Sequence, residues 1–179
     1  MSTLSVTTLQ GLASSPTPTK IEVASGHSLH APGHVVQTAF QTFSTQTACT
    51  TDSNVDISGA SLNFTPKFAS SLLLLSYDLH VNLYRQSTTE QGGTINWVVD
   101  NVNISHANQD YENYNLFPSS GTFNDYRRIY KEISISATNT NTKAIKLTGS
   151  PFGTSGAGQI LVNISNDFTS SMKVQEIAQ

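Results

Sequence analysis

The 179-residue chain holds a single cysteine, Cys49, so no internal disulfide can form and stability must come from packing. Charge is scarce as well. Asp, Glu, Lys and Arg make up 12% of the residues, with Lys+Arg 9 against Asp+Glu 12 and a formal net charge of -3. Nucleic-acid binding draws on clustered cations that release counterions, so the expectation is no nucleic-acid partner. Hydrophobic runs are short: the longest, Leu72-Leu73-Leu74-Leu75, falls far below a bilayer span, and Met1-Ser2-Thr3-Leu4-Ser5 carries neither a basic nor an apolar stretch. This reads as a soluble chain, not inserted in a membrane and not exported by the ordinary secretory route. No repeat of fixed period is visible, and the Ala/Glu/Lys/Leu mixture of helical proteins is missing.

Catalytic signatures are missing too. There is no Gly-x-Ser-x-Gly elbow and no His-Glu-x-x-His, and Gly153-Thr154-Ser155-Gly156-Ala157-Gly158 lacks the lysine and helix of a phosphate-cradling loop. Asp78 with His80, and Asp100 with His106, are near in sequence but lie on Asn-rich strands, where such pairs are incidental. The expectation is a non-enzyme without a cofactor. His27, His30 and His34 form a His-x2-His-x3-His phrase that a threefold axis could turn into a metal site. In an extended chain, however, positions 27 and 30 face opposite sides and Pro32-Gly33 interrupts the run, so these histidines read as solvated or hydrogen-bonded and no metal is expected.

What is present is small, polar and strand-forming. Ser, Thr and Asn number 24, 22 and 14, the residues of strands and turns. The dominant period is two. Residues 34–43 read as a long strand, 60–66 as a short one stopped by Pro66, and 70–84 as the strongest segment, with Leu73, Leu75, Tyr77, Leu79, Val81 and Leu83 forming a wholly apolar face for the core. Further strands are expected at 94–105, 128–137, 144–148, 159–166 and 171–178. Roughly eight short strands separated by Gly- and Asn-rich turns give an all-β chain, an antiparallel two-sheet sandwich of jelly-roll type. Trp97, Tyr77, Tyr84 and Tyr130 are candidates for the core or for subunit contacts. The aromatic stretch 108–126 reads as an excursion between strands, where function usually resides.

The first 33 residues differ. Their large apolar side chains are few, including Leu4, Val6, Leu9, Ile21 and Val23, and Ser14-Ser15-Pro16-Thr17-Pro18 breaks the run, so they cannot offset their own ordering entropy. Residues 1–33 therefore read as an extended docking arm ahead of a β domain at 34–179.

Several phrases carry a family resemblance: Leu4-Ser5-Val6-Thr7-Thr8-Leu9-Gln10, Ala24-Ser25-Gly26-His27, Ala31-Pro32-Gly33-His34-Val35-Val36-Gln37, the stretch from Ala60 to Leu75, and the closing Met172-Lys173-Val174-Gln175-Glu176-Ile177-Ala178. In these the chain resembles short tail-fibre-like virion proteins of tailed bacteriophages of marine bacteria, cyanophages especially. Ala24 stands where that family often has proline and Leu72 where lysine is common, and residues 85–158 carry no resemblance. The resemblance implies a homotrimeric virion component, assembled in the host cytoplasm, whose arm joins other virion proteins while the β domain projects outward. Two roles fit: a tail-fibre or adhesin subunit that attaches the particle to a host surface glycan or protein, or a capsid decoration protein that cements the head shell. For attachment, the candidates are aromatics beside hydrogen-bond donors: Tyr111, Tyr114, Tyr126, Arg127 and Arg85.

Overall fold

A computed structural model describes residues 31–50, 53–85, 93–104, 123–151, 158–165 and 167–179, with the backbone alone at Arg85, Phe123 and Gly158. The described residues form ten strands: β1 Val35–Phe43, β2 Thr47–Cys49, β3 Val55–Phe64, β4 Leu72–Arg85, β5 Gly93–Val99, β6 Val102–Ile104, β7 Phe123–Ser136, β8 Lys143–Pro151, β9 Gly158–Val162 and β10 Ser170–Ile177. They build two antiparallel sheets packed as a sandwich.

β4 is the spine of the larger sheet. Along its whole length it pairs with β7, from Leu72↔Ser136 to Arg85↔Phe123. Its other side is shared: β10 covers Leu72 to Asp78 and β9 covers Val81 to Arg85. β1 lies beyond β10, and β2 beyond β9. The smaller sheet runs β3-β8-β5-β6. The chain passes repeatedly from one sheet to the other, as in jelly-roll folds, so the core forms between two faces that each alternate inward apolar with outward polar.

That alternation holds on β4: Leu73, Leu75, Tyr77, Leu79, Val81 and Leu83 are all buried. Each such side chain contributes on the order of 1.5–3 kcal/mol when removed from water. From the smaller sheet, Trp97 meets Tyr77 with ring centroids 5.7 Å apart. Cys49 is buried in this core, where burial pushes its thiol up to about 11 and keeps it protonated.

Three sequence expectations change. The single strand expected at 94–105 is the hairpin β5–β6, because Asp100 and Asn101 take positive φ of 51° and 65°, the backbone of a tight primed turn. Asp100 also ties this turn to β8: its N–H donates to the Ala144 carbonyl, and Oδ1 accepts from the Ala144 N–H. β2 was too short, at three residues, to stand out by period. Finally, β7 begins at Phe123, so the last part of the expected excursion, with Tyr126, belongs to a rigid strand.

A bulge bends β3. Asp56 opposes Thr148 while Ser61 opposes Lys146, so extra residues loop out between them. Gly59 sits there at φ +78°, and a Cβ on it would lie 2.7 Å from the Phe43 Cβ, so only glycine lets β3 close over β1.

Candidate functional site

Two polar assemblies are built into the larger sheet, one facing the core and one facing outward. The inward one centres on Glu176. Along β10, Ser170, Met172, Val174 and Glu176 fall on the core face, so the alternation that buries a methionine and a valine also buries a carboxylate. Such a group needs a full set of donors. Ser71 Oγ donates to Oε1 at 2.7 Å, Gln37 Nε2 to Oε2 at 2.7 Å, and the backbone N–H groups of Lys67 and Phe68 at 2.9 Å. Burial alone would raise the pKa of Glu176, but these donated bonds outweigh it and hold the carboxyl below its usual range. Glu176 thereby fastens 67–71 to β10 and β1. This is structural chemistry, with every partner internal.

The outward assembly forms where the larger sheet is split. Between β9 and β10 the ladder on β4 is interrupted, and side chains replace it. The His80 N–H donates to Ser170 Oγ at 3.0 Å, and its carbonyl accepts from the Asn163 N–H at 2.9 Å. Ser170 Oγ donates in turn to Asn163 Oδ1 at 2.6 Å, and Asn163 Nδ2 reaches the Phe43 carbonyl at 3.1 Å, where β1 ends. Asn163 and Ser170 are fully buried, and Asn163 sits at φ 52°, a left-handed turn that asparagine tolerates. These bonds fix both ends of the 163–169 connection, so Phe168 lies over the His80 ring with centroids 5.1 Å apart.

The β4–β7 register supplies the rest. His80 opposes Arg128 and Asn82 opposes Tyr126, which places all four on the outer face. Arg128 grips Asp78 through two bonds of 2.6 Å, Nε to Oδ1 and Nη2 to Oδ2. That hydrogen bonding, aided by the charge of Arg128, holds the Asp78 carboxyl below its usual range and ionised. His80, Tyr126, Arg128, Ile164 and Phe168 line a shallow hollow of about 230 Å³, with Val81 and Arg127 at its floor and margin. Tyr126 is 63% exposed, and so is Tyr130 two outward positions along, with Arg128 between them.

Of the sequence candidates, Tyr126 occupies this hollow. Arg127 touches it, but alternation turns its side chain to the other face of β7, where it pairs with Asp125 at 2.7 Å. Arg85 ends β4 opposite Phe123 and Gly158, and only its backbone is described. Tyr111 and Tyr114, the arm residues Leu4, Val6, Leu9, Ile21 and Val23, and His27 and His30 lie outside the described residues. His34 is exposed beside the strand edge, its carbonyl accepting from the Ala178 N–H; among the described residues no group of three metal-ligating side chains assembles. Tyr130, expected in the core or at a subunit contact, points outward because it opposes Asp78 rather than an inner residue of β4. Asp78 and His80 share a face, as the sequence implied, but Asp78 is bonded to Arg128 and the His80 ring packs at a tilt of 39° against Phe168. The sequence did not point to Phe168, which reaches the site only through the fixed ends of the 163–169 connection.

No protein-family model and no curated protein matches the chain. Among solved structures, the chain is similar to dimeric latent PorU from Porphyromonas gingivalis at 7% identity and a TM-score of 0.32. The alignment covers 90% of this chain and 15% of that one, so the chain spans about 15% of PorU's length. A likeness at that level carries no argument about activity.

Proposed function

We propose that the chain is a virion surface subunit of a tailed phage, a tail-fibre or adhesin component that attaches the particle to its host, with residues 1–33 as the docking arm and a homotrimer as the working unit. The observation that carries this reading is the outer face of the larger sheet. Two tyrosines, 63% exposed, stand beside a carboxylate-anchored guanidinium on a 14-residue strand backed along its length by β4. Large aromatics left in water on either side of a fixed guanidinium are the composition of surfaces that meet a partner. The resemblance to tail-fibre-like proteins supports the same reading, and three of the phrases that carry it meet at Glu176 of the closing segment, which bonds Gln37 of one and Lys67, Phe68 and Ser71 of another.

The test is adsorption. Labelled protein incubated with a panel of marine bacteria that includes cyanobacteria should bind at least one strain saturably. Particles carrying this subunit should hold a few trimers at the tail. Dozens to hundreds of copies spread over the head, with no cell binding, would overturn the proposal in favour of capsid decoration.

A further inference from the structure

We infer that the hollow over His80 takes one ring of an uncharged saccharide chain, its face laid on the exposed aromatics and a hydroxyl bonded by Arg128, whose charge Asp78 matches; this rests on the attachment reading above. Three observations carry it. The first is size: at about 230 Å³ the hollow is smaller than the roughly 300–1,000 Å³ of sites that enclose a whole small molecule, and it suits a single ring of a longer chain passing over a sheet. The second is the pairing of rings with wet polar groups. Tyr126 at 63% and Phe168 at 38% exposure present apolar faces, which match the C–H face of a pyranose, while donor and acceptor stand within the same patch.

The third is charge, and it decides the class. Arg128 would attract an acidic sugar if its charge were unmatched, but both oxygens of Asp78 already sit 2.6 Å from it. An incoming carboxylate or sulfate would find an unmatched cation there only by displacing Asp78 from Arg128. A neutral hydroxyl meets no such barrier. It accepts from the N–H groups of Arg128 that Asp78 does not engage. Arg127, which also borders the hollow, is matched by Asp125 at 2.7 Å, and the next charged groups on the outward side of the sheet lie farther along it. Glu132 accepts from the Tyr130 hydroxyl at 3.0 Å, and Lys173 of β10 lies across β4 from Glu132, both opposite Ser76.

The experiment is affinity electrophoresis of the full chain in native gels cast with laminarin, dextran or galactan, beside gels cast with alginate or polygalacturonate. At least one neutral polysaccharide should retard the protein and the acidic ones should not. Tyr126→Ala should weaken that retardation by about tenfold while Tyr126→Phe keeps it, as expected for a stacking anchor. Asp78→Asn leaves the charge of Arg128 unmatched and should gain retardation in the acidic gels. Circular dichroism and thermal melting confirm that each variant is folded. Retardation by acidic gels alone, by none, or by neutral gels irrespective of Tyr126 overturns the inference. Cell binding reports separately on attachment: wild-type protein that adsorbs to periodate-treated cells but not to protease-treated ones attaches through a protein receptor, which keeps the attachment reading and overturns the saccharide.

Discussion

The two polar assemblies of the larger sheet lie on neighbouring strands, β10 and β4, and differ in where their partners are. Glu176 collects four side-chain and backbone donor groups from elements far apart in sequence and shows nothing to solvent. Asp78 is held, among the described residues, by Arg128, and both lie at the surface among uncovered rings. A buried carboxylate satisfied from within holds a fold together, whereas an exposed ion pair contributes little to stability because water screens it. The same sheet thus carries a clamp and the surface proposed for recognition, and substitutions should separate them.

The largest effect belongs to the core that both assemblies share. Leu75→Ala, at a fully buried position beneath Tyr77, should lower unfolding free energy by about 2–5 kcal/mol in urea denaturation, through lost transfer energy and the cavity it leaves. Next comes the clamp. Glu176→Gln replaces one acceptor oxygen with a donor that faces other donors, and should cost about 1–3 kcal/mol by the same measurement.

Acid should act through the same carboxyl. The folded-state pKa of Glu176 is lowered, so its stabilisation is fully present above the unfolded value of about 4.3 and is lost as pH falls through the folded value. Stability should therefore be flat from neutral pH down to about 5 and decline below about 4, and Glu176→Gln should flatten that decline. Asp78 titrates in the same direction, but its partial exposure makes its share smaller. At the small end lies the outward face: Tyr126→Ala should change stability by no more than about 0.5 kcal/mol, since the ring is largely in water.

These contrasts also show what the sequence made legible. The apolar face of β4 and the all-β class follow from a period of two, because burial on a pleated strand is a local rule. The position of Glu176 was legible by that rule as well: it occupies the core phase of Met172, Val174 and Ala178, a charge where an apolar residue is expected, although its partners at Gln37, 67–68 and Ser71 are fixed only by strand pairing. That Tyr130 lies outside the core was not legible, since whether it faces in or out depends on its register against Asp78. The hollow was half legible. Tyr126 beside Arg127 marked it, yet His80 and Phe168 meet there only because Asn163 and Ser170 bridge the gap between β9 and β10.

The most direct measurement pairs a melting curve with a cell-binding isotherm for Tyr126→Ala and Glu176→Gln in the full chain. The account predicts opposite outcomes: Tyr126→Ala melts with the wild type and loses binding, while Glu176→Gln melts earlier and, at temperatures where it is folded, binds as the wild type does. Tyr126→Ala protein that binds host cells with unchanged affinity would contradict it.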